Sequence, residues 1–222
     1  RTVRYVQGRL VDPDRAACKA RGGAPVVDFK QRFIGCRVCI PAPDGKITFK
    51  RIGTWVWWHG SGKRERQGSY RDGKKNGQWT HWYDNGALML SGAYRDGAEH
   101  GRWTGRFRSG KRKFDGVYRS GKPQGPWTTY HPDGSRASHG RYVGGRRHGR
   151  WTFWFPGGQK KDEGTFDHGE HTGTWTGWYE NGNKRAEGAF VDGKREGRWT
   201  YWHEDGRRWM TRTYRGGREV RQ

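Results

Sequence analysis

Long apolar runs are missing from this sequence, and so are most of the aliphatic residues that fill an ordinary core. Only 30% of the 222 residues are hydrophobic, below the usual share for a globular domain. No stretch approaches the roughly 20 apolar residues of a membrane-spanning helix, so no transmembrane segment is expected. Acidic residues are outnumbered, 22 Asp and Glu against 45 Lys and Arg, giving a formal charge of +23. Cysteine is confined to Cys18, Cys36 and Cys39, all ahead of the first tryptophan at Trp55. A starting methionine is also missing: the chain opens at Arg1, which is read as a processed end from which a signal peptide has been removed.

These absences exclude several classes. Disordered chains are poor in aromatic residues, whereas 15% of this chain is aromatic, with 14 Trp. The 38 Gly follow no period of three, which excludes collagen. Glycines every few residues also disfavour helices beyond residue 52. What is present is a period. Gly53, Gly77, Gly101, Gly125, Gly149, Gly173 and Gly197 stand 24 residues apart without slippage. Two residues after each comes Trp55, Trp79, Trp103, Trp127, Trp151, Trp175 or Trp199. Nine residues after each is a second Gly, seventeen after is Tyr or Phe, and twenty after is a third Gly. A fixed period of this length marks a repeat array.

Each copy reads as a β-hairpin with a connection. The segment from Gly-x-Trp is rich in aromatic and β-branched residues, which suits a strand. It ends in turns such as Asp84-Asn85-Gly86 and Pro132-Asp133-Gly134, whose glycines supply positive φ. The glycines before each terminal aromatic (Gly68, Gly92, Gly116, Gly140, Gly164 and Gly188) are expected to leave bare backbone under a cross-strand ring. In the last copy Arg212 replaces that Gly, and Trp209 and Met210 replace polar residues, as in a capping repeat. The expected fold is therefore all-β: an elongated antiparallel hairpin array of seven repeats over 53–222, preceded by a small segment over 1–52.

The phrase from Tyr70 to Gly86, YRDGKKNGQWTHWYDNG, and its copies, such as GRRHGRWTFWFPGG over 145–158, resemble the bacterial variant of the MORN (membrane occupation and recognition nexus) repeat. The resemblance covers about 53–217. It implies a hairpin array used for scaffolding, for protein contacts or for contact with anionic lipid, and no enzymatic activity. Some members of the variant are labelled antitoxins, which adds an intracellular antitoxin-like module as a further reading.

The first 52 residues fall outside the period. Residues 12–23 read as a short helix capped by Asp12 and ended by Gly22-Gly23. One or two strands are expected within 26–40, and another over 47–50. Cys36 and Cys39 form a C-x-x-C pair, but Pro41 and Pro43 argue against the helix a redox motif requires. Zinc needs four ligands, and this segment offers three cysteines and no histidine. A structural disulfide from Cys18 to Cys36 or Cys39 is the favoured reading, with an oxidising compartment: periplasm, cell surface or exterior. The segment is expected to cover the edge of the first hairpin.

Basic residues cluster after the turns. One set is Lys63, Arg64, Lys111, Arg112, Lys113, Lys160, Lys161, Lys184 and Arg185; the other is Lys74, Lys75, Arg146, Arg147, Lys194 and Arg195. Hairpin geometry sends the two sets to opposite edges. They either keep a β surface soluble or bind a partner or polyanion. Nucleic acid ranks below protein, anionic lipid and acidic polysaccharide, because the seven Gly-x-Trp tryptophans are better used as core. His59, His131 and His203 share a position with Tyr83, Phe107, Phe155 and Tyr179, so they are read as ring-fillers rather than metal ligands. His168 and His171 are at most a weak metal pair. Asp72, Asp84, Asp96, Asp133 and Asp192 sit in turns and have a backbone role. No nucleophile elbow, Walker loop or carboxylate pair appears, so neither catalysis nor a cofactor is expected. The sequence reads as a non-enzymatic extracytoplasmic scaffold that binds a protein partner or joins an envelope or extracellular assembly. A peripheral binder of anionic lipid or acidic polysaccharide is the alternative.

Overall fold

A computed structural model describes the backbone of residues 4–6, 9–11, 24–28, 33–41 and 47–220, and the side chains of Phe33, Ile34 and residues 50–220. Every element among them is a β-strand. The chain divides into two compact units, Arg1–Glu99 and His100–Gln222. The expected helix over 12–23 lies outside the described residues.

The first unit begins with a two-stranded hairpin of β1 (Arg4–Val6) and β2 (Arg9–Val11). It continues with β3 (Ala24–Asp28), β4 (Phe33–Pro41), β5 (Ile47–Trp58), β6 (Arg64–Arg71), β7 (Lys74–Trp82) and β8 (Leu88–Arg95). From β3 to β8 each strand pairs antiparallel with the next. The strands expected in the first segment thus form. β5 runs unbroken from that segment into the first Gly-x-Trp, and β4 lines its outer side, with Phe33 opposite Trp57.

The division between units falls within β9 (Ala98–Arg106). The second unit continues through β10 (Arg112–Arg119), β11 (Lys122–Tyr130), β12 (Arg136–Val143), β13 (Arg146–Trp154) and β14 (Lys160–Asp167). β15 (Glu170–Trp178), β16 (Lys184–Val191), β17 (Lys194–Trp202), β18 (Arg208–Arg215) and β19 (Arg218–Val220) complete it. These strands also pair antiparallel in chain order.

Two kinds of turn alternate. The short turns have two residues with positive φ, such as Asp72 (50°) and Gly73 (79°), the conformation that matches the twist of a tight hairpin. The longer loops are closed by paired backbone bonds, as where His59 N donates to Lys63 O and Gly62 N to His59 O. Each strand begins earlier than Gly-x-Trp suggested. Lys74 opens β7, and Gly77 lies inside it with φ of 77°. The reason is a bulge. Gln67 pairs with Thr80 and Ser69 with Asn76, so Gly77, Gln78 and Trp79 together oppose the single residue Gly68. The same offset recurs at Gly140, Gly164 and Gly188.

The bulge carries each tryptophan over the preceding strand. A Cβ on Gly68 would lie 2.1 Å from the Trp79 ring; on Gly140, 2.2 Å from Trp151; on Gly188, 2.3 Å from Trp199. Bare backbone is therefore required at these positions. The indole N–H then satisfies a carbonyl beside the bulge: Trp79 Nε1 donates to Ser69 O (3.1 Å) and Trp151 Nε1 to Arg141 O (3.1 Å). All seven Gly-x-Trp tryptophans are buried. Between them stand the terminal aromatics, edge to face. Phe166 lies 6.2 Å from Trp151 and 5.0 Å from Trp175, each with ring planes 85° apart, a favoured aromatic geometry. Each unit thus has a core of alternating rings. In the first unit Phe33 extends it, 5.2 Å from Trp55.

Candidate functional site

The two basic sets occupy opposite turn edges within each unit, but their members are not equivalent. In the short-turn set, alternation along a strand separates neighbours. Lys75 turns onto the rings, its Nζ 4.6 Å from the centroids of Trp79 and Tyr94. Arg147 lies over Trp151 at 4.7 Å and Arg195 over Trp199 at 4.8 Å. Their partners Lys74, Arg146 and Lys194 stay exposed, and their stems lie against Gly97, Gly169 and Gly217 of the next copy. None of these three forms an ion pair among the described residues.

The longer-loop set is largely committed to neighbours. Lys63 Nζ donates to Asn85 O (3.0 Å) and Lys111 Nζ to Asp133 O (2.7 Å). Arg64 bonds Gln67 Oε1 at 3.3 Å. Lys113 and Lys161 sit over Phe107 and Phe155. Lys160 and Lys184 pair with Glu163 and Glu187, while Arg185 pairs with Asp162 at 3.0 Å. Arg112 is exposed.

Two of the three histidines at the ring position tie copies together, while His203 lies 5.7 Å from the Trp209 ring. Nε2–H of His59 donates to Trp82 O and that of His131 to Trp154 O, both at 2.9 Å; Tyr179 Oη makes the equivalent bond to Trp202 O. His168 and His171 do not converge on one point. His168 joins His148 and Asp167 in an exposed group whose ligand atoms lie within 4.8 Å of one another. Asp167 is hydrogen-bonded to His168 Nδ1 at 2.7 Å and lies 3.3 Å from His148 Nδ1, which has no hydrogen-bond partner among the described residues. His171 instead packs among Phe166, Trp175 and Phe190. Cys36 and Cys39 are on β4; the disulfide reading, with Cys18, lies outside the described residues.

One feature escaped the sequence reading. Four residues after the first Gly of each copy stand Trp57, His81, Gly105, Thr129, Phe153, Gly177 and Tyr201. Where this residue is a ring, it lies beside the tryptophan of its own copy, as Phe153 does at 5.9 Å from Trp151 and Tyr201 at 6.3 Å from Trp199. At Gly105 the ring of Phe114 fills the space, 2.3 Å from where a Cβ would be. Gly177 is flanked in register by Asp162 and Ala186, neither of which carries a ring. There a recess of about 420 Å³ opens, walled by Phe153, Phe166, Trp175, Phe190, Trp199 and Tyr201.

The recess is electrostatically mixed. Arg147, Arg185 and Arg195 line it with Asp162 and His171. Burial raises the Asp162 carboxyl above its ordinary range, outweighing the opposing pull of Arg185 and Lys161. Burial, helped by Arg147, lowers His171 against the attraction of Asp162. Tyr201 is pushed up to about 12 by burial and its hydrogen bond with Tyr214. Such a site can grip a planar or anionic group through rings and spare guanidinium N–H donors.

No helix among the described residues is long and apolar enough to cross a membrane. No curated protein matches the chain. The MORN repeat variant family matches residues 147–168 and 172–192, segments holding the bulge, the covered Gly164 and the ring column just described. Residues 147–168 and 172–192 thus carry repeats of the MORN variant type, which points to a repeat scaffold or binding module, and the other copies keep the same 24-residue register.

Proposed function

We propose that this chain is a non-enzymatic extracytoplasmic scaffold that docks a protein partner as part of an envelope or extracellular assembly. The observation that carries the reading is the recess at Gly177. There the copy brings together rings, three guanidinium groups and a half-buried carboxylate. A contact surface that differs at one repeat suits a partner of defined structure. A uniform polyanion would be served by a uniform track, and the exposed basic column is not uniform. Where Lys74, Lys122, Arg146 and Lys194 stand, two other copies have Ala98 and Glu170.

Binding to anionic lipid or acidic polysaccharide is the second reading, favoured by the +23 charge. Salt separates the two. Polyanion binding falls steeply as ionic strength rises, whereas ring-centred docking persists. The test is a pull-down from the native source at low and high salt, beside liposome and polysaccharide binding. A stoichiometric protein retained at high salt supports the first reading; retention of lipid or polysaccharide alone, lost with salt, replaces it. The extracytoplasmic address rests on the cysteines of the first segment. One disulfide and one free thiol are expected in native material, and three free thiols would refute that address.

A further inference from the structure

Glycine at position 177 is not needed by the backbone. Unlike Gly173 and Gly182, it does not have positive φ. Its effect is on space. In the flanking copies the same position holds Phe153 and Tyr201, which complete the ring series. At Gly177 a Cβ would lie 2.9 Å from Asp162 Oδ1 and 3.0 Å from an Arg185 nitrogen, so this ion pair stands where the ring base would be. The neighbouring turn position is reduced too: His171 stands where Arg147 and Arg195 stand in the adjacent copies. Two coincident departures in one copy produce the recess.

From this we infer that the recess is a peptide-docking site. It takes an extended partner segment presenting one aromatic side chain flanked on both sides by carboxylate residues. The statement deepens the partner-binding reading and rests on it. The aromatic side chain is specified by the walls: Trp175, Phe153 and Tyr201 would surround a ring supplied from outside as neighbouring copies surround their own. The volume of about 420 Å³ falls within the range of ligand sites and suits a single ring with part of its backbone. The carboxylates are specified by charge, since three guanidinium groups outnumber the single Asp162. Each guanidinium has five N–H donors. Arg195 has one nitrogen near the hydroxyls of Tyr201 (3.3 Å) and Tyr214 (3.4 Å), leaving its other edge for a carboxylate. Arg147 and Arg195 stand two copies apart, four strand spacings or roughly 19 Å. An extended segment rising about 3.3 Å per residue covers that distance when its outer acidic residues are three positions from the ring.

The probe is the capped heptapeptide Glu-Ser-Glu-Phe-Glu-Ser-Glu, titrated into the full chain by calorimetry and by amide NMR. Controls carry Leu for Phe or Lys for every Glu. The Phe peptide is expected to bind about tenfold more tightly than the Leu peptide, the Lys peptide not at all, and the amides of Gly177 and Ala186 to shift. Gly177→Phe fills the recess from within and should weaken binding at least tenfold. Arg195→Gln should weaken it without filling the space, which keeps the test independent of how Gly177→Phe folds. Equal affinity for the Phe and Leu peptides, or shifts confined to the turn edges, overturns the assignment. So does a heparin oligosaccharide that produces the same recess shifts. A native partner that binds the wild type and Gly177→Phe equally defeats the recess while leaving the scaffold reading intact. Failure to recover any stoichiometric partner defeats the scaffold reading itself.

Discussion

The indole of Trp79 lies so close over Gly68 that a single added methyl carbon would stand 2.1 Å from the ring. That contact joins one copy to the one before it. It depends on a bulge with positive φ at Gly77, on the missing side chain of Gly68, and on the bond from the indole to Ser69 O.

Gly140→Ala should therefore be costly, because the new Cβ would meet Trp151 at 2.2 Å. Overpacking of this kind costs about 1–3 kcal/mol. Arg212 occupies the equivalent position in the last copy, and Arg221 stands where the next Gly-x-Trp would begin. Arg212→Ala is expected to stay within about 0.5 kcal/mol of wild type. Urea midpoints of the two variants check the contrast.

Trp151→Ala should cost about 3–5 kcal/mol through cavity formation, since the residue is 1% exposed. The loss should extend to neighbouring copies, since Tyr142 (5.1 Å) and Phe166 (6.2 Å) both lean on this ring. Hydrogen exchange is the measurement: amides of β12 and β14 should lose protection together.

Acid should weaken the array before its carboxylates titrate. Burial lowers His81, with Lys75 and Arg66 adding to the effect and Glu65 opposing it; His171 is lowered as well. A base with a lowered folded-state pKa contributes stability that is present above the ordinary histidine value, near 6.5. That stability is lost as pH falls through the lowered value. His81→Phe puts at this site the ring that Phe153 supplies three copies on. Its thermal midpoint should fall less than that of wild type from pH 7 to pH 5. Parallel melting curves for the two proteins would remove histidine from the account.

Ser120 adopts φ of 50° in a turn where Asp72, Asp96 and Asp192 stand in other copies. Asparagine tolerates that conformation better. Ser120→Asn should add about 0.5 kcal/mol, seen as a higher urea midpoint with an unchanged slope.

Strands, turns and the glycine-ring contact were legible because each is written six or seven times, and repetition separates constraint from variation. The bulge was less legible. Gly77 read as a strand start, since positive φ within a ladder requires knowing which residues oppose it, and the pairing of Gln67 with Thr80 supplies that. The basic pairs read as uniform edge charge, although strand alternation turns Lys75, Arg147 and Arg195 onto rings. The recess was present in the sequence as a column in which Gly105 and Gly177 interrupt a run of mainly aromatic residues. Telling the two glycines apart required seeing that Phe114 fills one site while Asp162 and Ala186 leave the other open.

The bond from one copy to the next inside a unit has a direction: the tryptophan reaches back over a glycine of the preceding strand, as Trp79 does over Gly68 and Trp151 over Gly140. Copies inside a unit therefore behave like links that share a hook on one side and an eye on the other. A cassette of 24 residues spliced between two links would present the correct fitting at both ends, whereas one of 23 or 25 would fit at neither. Such a molecule can be lengthened or shortened in whole steps that keep this shared fitting, while contacts peculiar to one copy, such as that of Arg185 with Asp162, mark an individual link.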